Sequence, residues 1–371
     1  HPRHHLNTAQ LPCLANAGNA VVSMYFTFTQ AHLLFQSSTR DFRAGELPPD
    51  RIRASWETDS GRDPALWQQL AELGLTGITV PEEFGGLGMS ALDFVLLAQE
   101  CGYVALPEPL VHTVLVAVPL LDDLGGELAA QWLPRIATGE AKVVVGLQQN
   151  LVVEDAHVAD LLLLQRDGAW YALSADQVVL RRNESVDPSR RLFAVEVNAG
   201  AEPFLTGADA AGLARVSLDR GALGCAAQAL GLAQRMVDMA VSYSADRQQF
   251  GKPIGSFQAV KHLMANVAVR LEYARAPVHR AAYSLAAGEL VSSRAVSHAK
   301  LMACEAANLA AKHSIQVHGA MGYTWEVDLH LFMKKAWALS NTWGDTAFHK
   351  ARIAQYIFSD DAELGAGASF S

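Results

Sequence analysis

The chain has 371 residues, half of them hydrophobic, enough to bury a core and to form two or three compact units. A formal net charge of −9 argues against a nucleic-acid binder, which needs a basic face, and no run of about 18 uninterrupted apolar residues is present to span a membrane. Cys13, Cys101, Cys225 and Cys304 lie far apart with no CxxC and no metal-ligand spacing, so they read as reduced thiols of a cytoplasmic protein, and no metal site is expected.

Residues 1–23, "HPRHHLNTAQLPCLANAGNAVVS", are His-rich, then Ala- and Asn-rich, unlike the rest of the chain. They read as a leader without a fixed fold, either added to the chain or arising from an over-long start. A signal peptide is the rival reading, but its apolar region is broken by Asn16, Gly18 and Asn19; metal binding by His1, His4 and His5 is the lesser alternative to a disordered terminus.

Residues 24–140 carry a helical pattern. "DPALWQQLAEL" places Leu66, Leu70 and Leu73 at helical spacing after an Asp63-Pro64 start, and the loop "VPEEFGGLGMS" separates it from the helix "ALDFVLLAQECGYVAL". "LPEPL" ends that helix, because a residue before proline is steered away from the helical region. Residues 141–216 change to a strand period: "KVVVGL", "VADLLLLQ", "AWYALSA", "QVVLRR" and "RLFAVEV" alternate with turn signals such as Arg166-Asp167-Gly168 and Asp187-Pro188. Residues 217–371 return to long apolar helical stripes, the pattern of a helix bundle. The fold class expected is α+β: an N-terminal helical domain, a small middle β domain and a C-terminal four-helix bundle.

Two stretches carry more than periodicity. In "RQQFGKPIGSFQAVKHLMA", Arg247 follows a long helix and offers a guanidinium that can clamp a phosphate bidentately. Phe250 adds an aromatic face, Gly251 permits close backbone approach, and the Gln258 amide both donates and accepts. For Arg247 alone, a surface ion pair with Asp246 or Asp238 is the bland alternative. In "QVHGAMGYTWEVDLHLFMKKA", a helix ending at Gly319 presents Gln316 and free backbone amides; Gly319 or Gly322 as a left-handed helix cap is the plain reading, compatible with a ligand contact. His318 reads as a packing residue, and Glu326 as a helix-terminus or interface contact.

These two stretches, with "VPEEFGGLGMS", resemble the acyl-CoA dehydrogenase family over Met24 to about Ile357. The resemblance implies FAD as cofactor, an acyl-CoA thioester as substrate, α,β-desaturation as reaction and an electron-transfer flavoprotein as acceptor. It implies FAD contacts from Arg247, Gln249 and Phe250, with Phe257 and Gln258 nearby, and from Gln316, Gly319 and Ala320, the last standing where the family has a second glycine. Such a reaction needs a carboxylate within reach of the α-proton. The family's usual Glu position falls on Trp343, whose indole N–H only donates, and the alternative position in other branches falls on Gly221. Asp345 is the weak remaining candidate, with Asp219 behind it. The family's Thr-Glu-Pro segment and Trp-Thr strand, which meet the flavin ring, are also missing; Trp170 in "GAWYALSAD" stands near the latter without its threonine. Selective loss of this kind resembles the degenerate subunit of bacterial two-subunit (α2β2) acyl-CoA dehydrogenases, some acting on steroid side chains. The alternatives are a self-sufficient homo-oligomer with an atypical base, and a non-catalytic binding protein of the same fold.

Overall fold

Local sequence decides where the first helices begin. Helices α1 (Gln30–Glu46), α2 (Pro49–Trp56) and α3 (Pro64–Glu72) lead into α4 (Ala91–Tyr103). Asp63 caps α3, its carboxylate accepting from the N–H groups of Ala65 and Leu66 at 3.0 and 3.1 Å, and Pro64 fills the first turn, where its missing N–H is no loss. Leu66 and Leu70 point into the core, while Leu73 caps the helix and is exposed. After α4 come α5 (Leu110–His112) and α6 (Val118–Leu124), joined through a π-helical turn at Thr113–Ala117, and then α7 (Gly126–Ala137). The computed structural model describes residues 27–360 except residue 290, together with residues 362 and 365; the 1–23 segment lies outside the described residues.

The strand-like runs form two three-stranded sheets. β1 (Val143–Gly146), β3 (Leu161–Arg166) and β4 (Ala169–Leu173) make one, with β1 parallel to β3 and β3 antiparallel to β4. β2 (Val153–Glu154), β6 (Leu192–Val197) and β5 (Val178–Asn183) make the other, all antiparallel. Asp167-Gly168 closes the β3–β4 hairpin with both residues at positive φ (50° and 75°), the two-residue turn that matches strand twist. The uninterrupted apolar run of β3 has a reason: alternate residues serve two cores. Leu162 and Leu164 face the second sheet, with Val144, Val153 and Phe193, while Leu161 and Leu163 join Val143, Val145 and Trp170 against the helices.

The last region is helical. α8 (Gly207–Asp246) runs 40 residues and starts at Gly207 rather than Ser217; extended Thr206 precedes it and Asp209 sits in its first turn, where a carboxylate favours the helix dipole. A two-stranded hairpin comes next, β7 (Gln248–Gln249) and β8 (Lys252–Pro253), and then α9 (Gln258–Ala286), α10 (Ser292–His318), α11 (Leu329–Ser340) and α12 (Thr346–Ile357). α8 is the spine, packing on α4, α9, α10 and α11. Its contact with α4 is backbone to backbone: a Cβ at Gly231 would lie 1.9 Å from the Gln99 carbonyl oxygen. Among the described residues no helix is long and apolar enough to cross a membrane.

Candidate functional site

The two positions at which a catalytic Glu was sought face each other. Trp343 lies on the loop between α11 and α12, at φ 58°, with Gly344 following at φ 90°. Its buried indole rests on the middle of α8 at Gly221, where an added Cβ would lie only 2.2 Å from Cδ2 of the ring. The indole therefore occupies the room that a side chain at Gly221 would need. The His112 ring lies 5.7 Å away at 32°, and its Nε2 accepts from the Val145 N–H at 3.1 Å, which makes it a neutral imidazole; burial lowers its pKa further. Trp343 thus sits where α8, the α5 turn and the β1 strand meet.

Buried polar groups hold the loop beneath it. The Lys300 amine donates to the Thr342 carbonyl at 2.9 Å and to the Leu339 carbonyl, closing the end of α11 in the way a cation suits a helix C-terminus. His349, fully buried, bonds the Trp343 carbonyl through Nε2 and Ser297 Oγ through Nδ1, both at 3.0 Å. Burial, with the Lys300 charge behind it, pushes the His349 pKa down to about 4 from 6.5. The unfolded chain then binds more protons between those pH values, so stability falls on acidification through that window, by about 1.4 kcal/mol per pH unit per histidine. His279, also pushed to about 4 by burial, adds the same sign. Urea midpoints measured at pH 7.5 and pH 5 should drop at the lower pH, and His349→Gln should flatten the difference; a pH-independent midpoint would contradict it.

Both neighbouring carboxylates are engaged in structural contacts. Asp345 is exposed and caps α12, accepting from the Phe348 N–H at 2.8 Å. Asp219 is buried and engaged, 2.5 Å from Ser293 Oγ and 2.7 Å from Arg352 Nη2.

Next to Trp343 and Gly221 a cavity of about 70 Å³ remains, lined also by Glu108, Arg190, Cys225 and Lys335. Ligand pockets start at roughly 300 Å³. Charges fill the surroundings: Arg62 pairs with Asp155 with both side chains buried, Arg190 holds Glu154 at 3.0 Å, and Lys142 approaches Glu108 at 3.6 Å. The Lys335 amine donates to the Leu106 carbonyl at 2.6 Å, and burial lowers its pKa. Burial raises the pKa of Glu108, only partly opposed by Lys142; burial also disfavours the Glu154 carboxylate, but Arg190 and Arg62 keep its pKa below the usual range. Trp170 is completely buried and donates from Nε1 to the Ala210 carbonyl at 2.9 Å, tying β4 to the start of α8. The room left in this cleft is well below the ligand-pocket range. Sequence reasoning missed these residues; the available signal was charge inside strand-like runs, Glu154-Asp155 and Arg190-Arg191, which demands partners.

The other half of the candidate site is open. Arg247 caps α8, donating its N–H to the Tyr243 carbonyl at 2.9 Å, and its own carbonyl accepts from the Ile254 N–H at 2.8 Å. In the hairpin, Phe250 and Gly251 form the two-residue turn at φ 53° and 77°. Phe250 is 91% exposed in a conformation that disfavours side chains, a strain characteristic of functional loops. Phe257 stands edge-on to it at 6.1 Å, and the Lys252 ammonium lies 4.5 Å over the Phe257 ring. Arg247, Gln249, Gln258, Gln316, Gly319 and Ala320 are all exposed, and Phe257 is half-buried. Gly319 ends α10 at φ 58°, ψ −135°, open to glycine rather than the expected left-handed cap, and Gly322 has no positive φ. His318 is buried and stacks on Tyr243, with centroids 4.4 Å apart at 24°. Glu326 is exposed two residues short of α11, whose cap residue, Asp328, pairs with Arg53.

The match to known proteins agrees with this layout. Residues 29–140 match the family profile "Acyl-CoA dehydrogenase, N-terminal domain" and residues 211–358 match "Acyl-CoA dehydrogenase, C-terminal domain". The chain is 35% identical over 292 residues to "Acyl-CoA dehydrogenase IpdE2" of Mycobacterium tuberculosis, covering 78% of this chain and 85% of that protein. Among solved structures, the ChsE4-ChsE5 complex of Mycobacterium tuberculosis contains a chain similar at TM-score 0.81 and 22% identity, covering 92% of this chain and 100% of that one. A "Tcur3481-Tcur3483 steroid ACAD" variant is similar at TM-score 0.79 and 23% identity, covering 87% and 96%. With both domain profiles matched in order around the strand region, the chain belongs to the acyl-CoA dehydrogenase family of flavoprotein oxidoreductases.

Proposed function

We propose that this chain is the subunit of a two-subunit acyl-CoA dehydrogenase that completes a homologous partner's FAD site and leaves the catalytic base to that partner. One observation supports the reading: the Trp343 indole fills the space over Gly221 and leaves a narrow cleft lined by charged side chains, while the Arg247 hairpin and the Gln316–Ala320 segment are exposed. Arg247 would clamp the pyrophosphate as a bidentate donor, and the Gln249 and Gln316 amides would donate to or accept from the nucleotide. Phe250 would pack an aromatic face against it, beside Phe257 and Gln258, and Gly319 and Ala320 would admit it close to the backbone. FAD, when bound, supplies the hydride acceptor for α,β-desaturation of an acyl-CoA thioester, with an electron-transfer flavoprotein taking the electrons onward. Similarity to the Tcur3481-Tcur3483 steroid ACAD and to a chain of the ChsE4-ChsE5 complex supports a bulky, steroid-type acyl group and a heteromeric assembly.

Co-expression with the homologous partner subunit tests the reading. About one FAD per heterodimer is expected, with turnover abolished by removing the partner's carboxylate and untouched by Asp345→Asn in this chain. Full FAD loading and turnover by this chain alone would favour the self-sufficient enzyme, and an assembly free of flavin would leave a binding protein.

A further inference from the structure

We infer that the Tyr243–His318 ring stack is the positioning element of the nucleotide edge, setting the distance between the Arg247–Phe250 hairpin and the Gln316–Gly319 helix end. The inference rests on the reading that this edge receives a dinucleotide. Tyr243 and His318 each lie within one turn of the end of their helix, α8 and α10, so the stack joins the two helices where the candidate contacts leave the bundle. Both partners are tied to those contacts through the backbone. The Tyr243 carbonyl accepts the Arg247 N–H, and the hairpin closes back through Ile254 N–H to the Arg247 carbonyl at 2.8 Å. Gly255 seats the hairpin against the same end of α8, where an added Cβ would lie 2.9 Å from Ser244 Oγ. On the other side, His318 directly precedes Gly319, and its ring is oriented by an Nδ1 hydrogen bond to the Ser314 carbonyl at 2.8 Å. That bond makes Nδ1 the donor, and burial, which lowers the pKa of the ring, favours the neutral form that stacks flat on the phenol. Further from the edge, Ser314 Oγ donates to the Met236 carbonyl at 3.0 Å, so the helices are already joined about one turn back on α10 and two turns back on α8, and the stack adds alignment at the tip.

A bidentate clamp and an amide on separate segments act together only if their spacing holds to a fraction of an ångström. Neither ring needs to touch the ligand for this. The stack therefore contributes through ordering, and its loss should appear as a looser, more mobile edge rather than a missing contact.

The test uses the complex with the partner subunit, stripped of flavin and titrated with FAD by flavin fluorescence, together with hydrogen exchange of residues 244–256 in the chain itself. His318→Ala and Tyr243→Ala are expected to weaken FAD binding about tenfold or more and to speed exchange of the hairpin amides. His318→Phe, which keeps a flat ring, and Tyr243→Phe should stay within about threefold of the parent. A merely structural role would lower thermal stability without moving FAD affinity; that result, or unchanged exchange in His318→Ala, overturns the inference. Arg247→Ala serves as the separate arm: if it too leaves FAD affinity unchanged, the dinucleotide reading has failed rather than the role of the stack.

Discussion

Trp343→Ala is expected to lower the unfolding free energy by about 3–5 kcal/mol, the range for truncating a buried aromatic that leaves a cavity. The upper half of the range is favoured because the indole touches more than one region: it lies on Gly221 of α8 and against His112, which in turn holds β1 at Val145. The gap would merge with the cavity of about 70 Å³ beside it, and the rigid α8–α4 packing at Gly231 leaves little scope for collapse. Urea unfolding with an unchanged slope and a lowered midpoint is the check. Trp343→Glu should be destabilised as well, since it sets a carboxyl in a buried seat near Glu154 and Asp155, and it should confer no turnover on the chain alone. A loss below about 1 kcal/mol for Trp343→Ala would show that the indole is not a packing element.

The second large effect concerns the Arg62–Asp155 pair. Both side chains are buried, and Arg62 also donates to the Ser189 carbonyl at 2.6 Å, so the guanidinium links the segment before α3 to the loop after β5. Removing one partner strands the other charge away from water, which typically costs about 3–5 kcal/mol, whereas replacing both by apolar groups of similar size is often near neutral. Arg62→Met and Asp155→Leu should therefore each be strongly destabilised, and the double variant should recover most of the loss. A double-mutant cycle by chemical denaturation reads this directly; strictly additive losses would contradict it.

Legibility in the sequence followed the range of the interactions. The start of α3 could be read because Asp63 and Pro64 act on their own neighbours, and the β3–β4 turn because Asp167-Gly168 suffices for it. Arg247, Phe250 and Gly251 were legible for the same reason: hairpin and helix end are built from adjacent residues. The indole at position 343 was visible as well, but not what it does. That depends on Gly221, which a linear reading treats as a second empty position rather than as the hollow that receives the ring. The Arg62–Asp155 pair spans 93 residues, and no local pattern in either segment names its partner. The π-helical turn at Thr113–Ala117 was equally hidden, because apolar residues fit it and an ordinary helix alike.

The contact between Trp343 and Gly221 also constrains what the gene can become. Side chains at positions 221 and 343 exclude one another: any side chain at Gly221 collides with the indole, so a carboxylate there requires a smaller residue at 343 first. That first step forfeits the packing that joins three parts of the molecule, and the second supplies a base to a cleft now crossed by ion pairs. Each single replacement gives up packing that the present sequence has. The knob and its hollow act as a ratchet, holding position 221 to glycine for as long as the indole stays at 343.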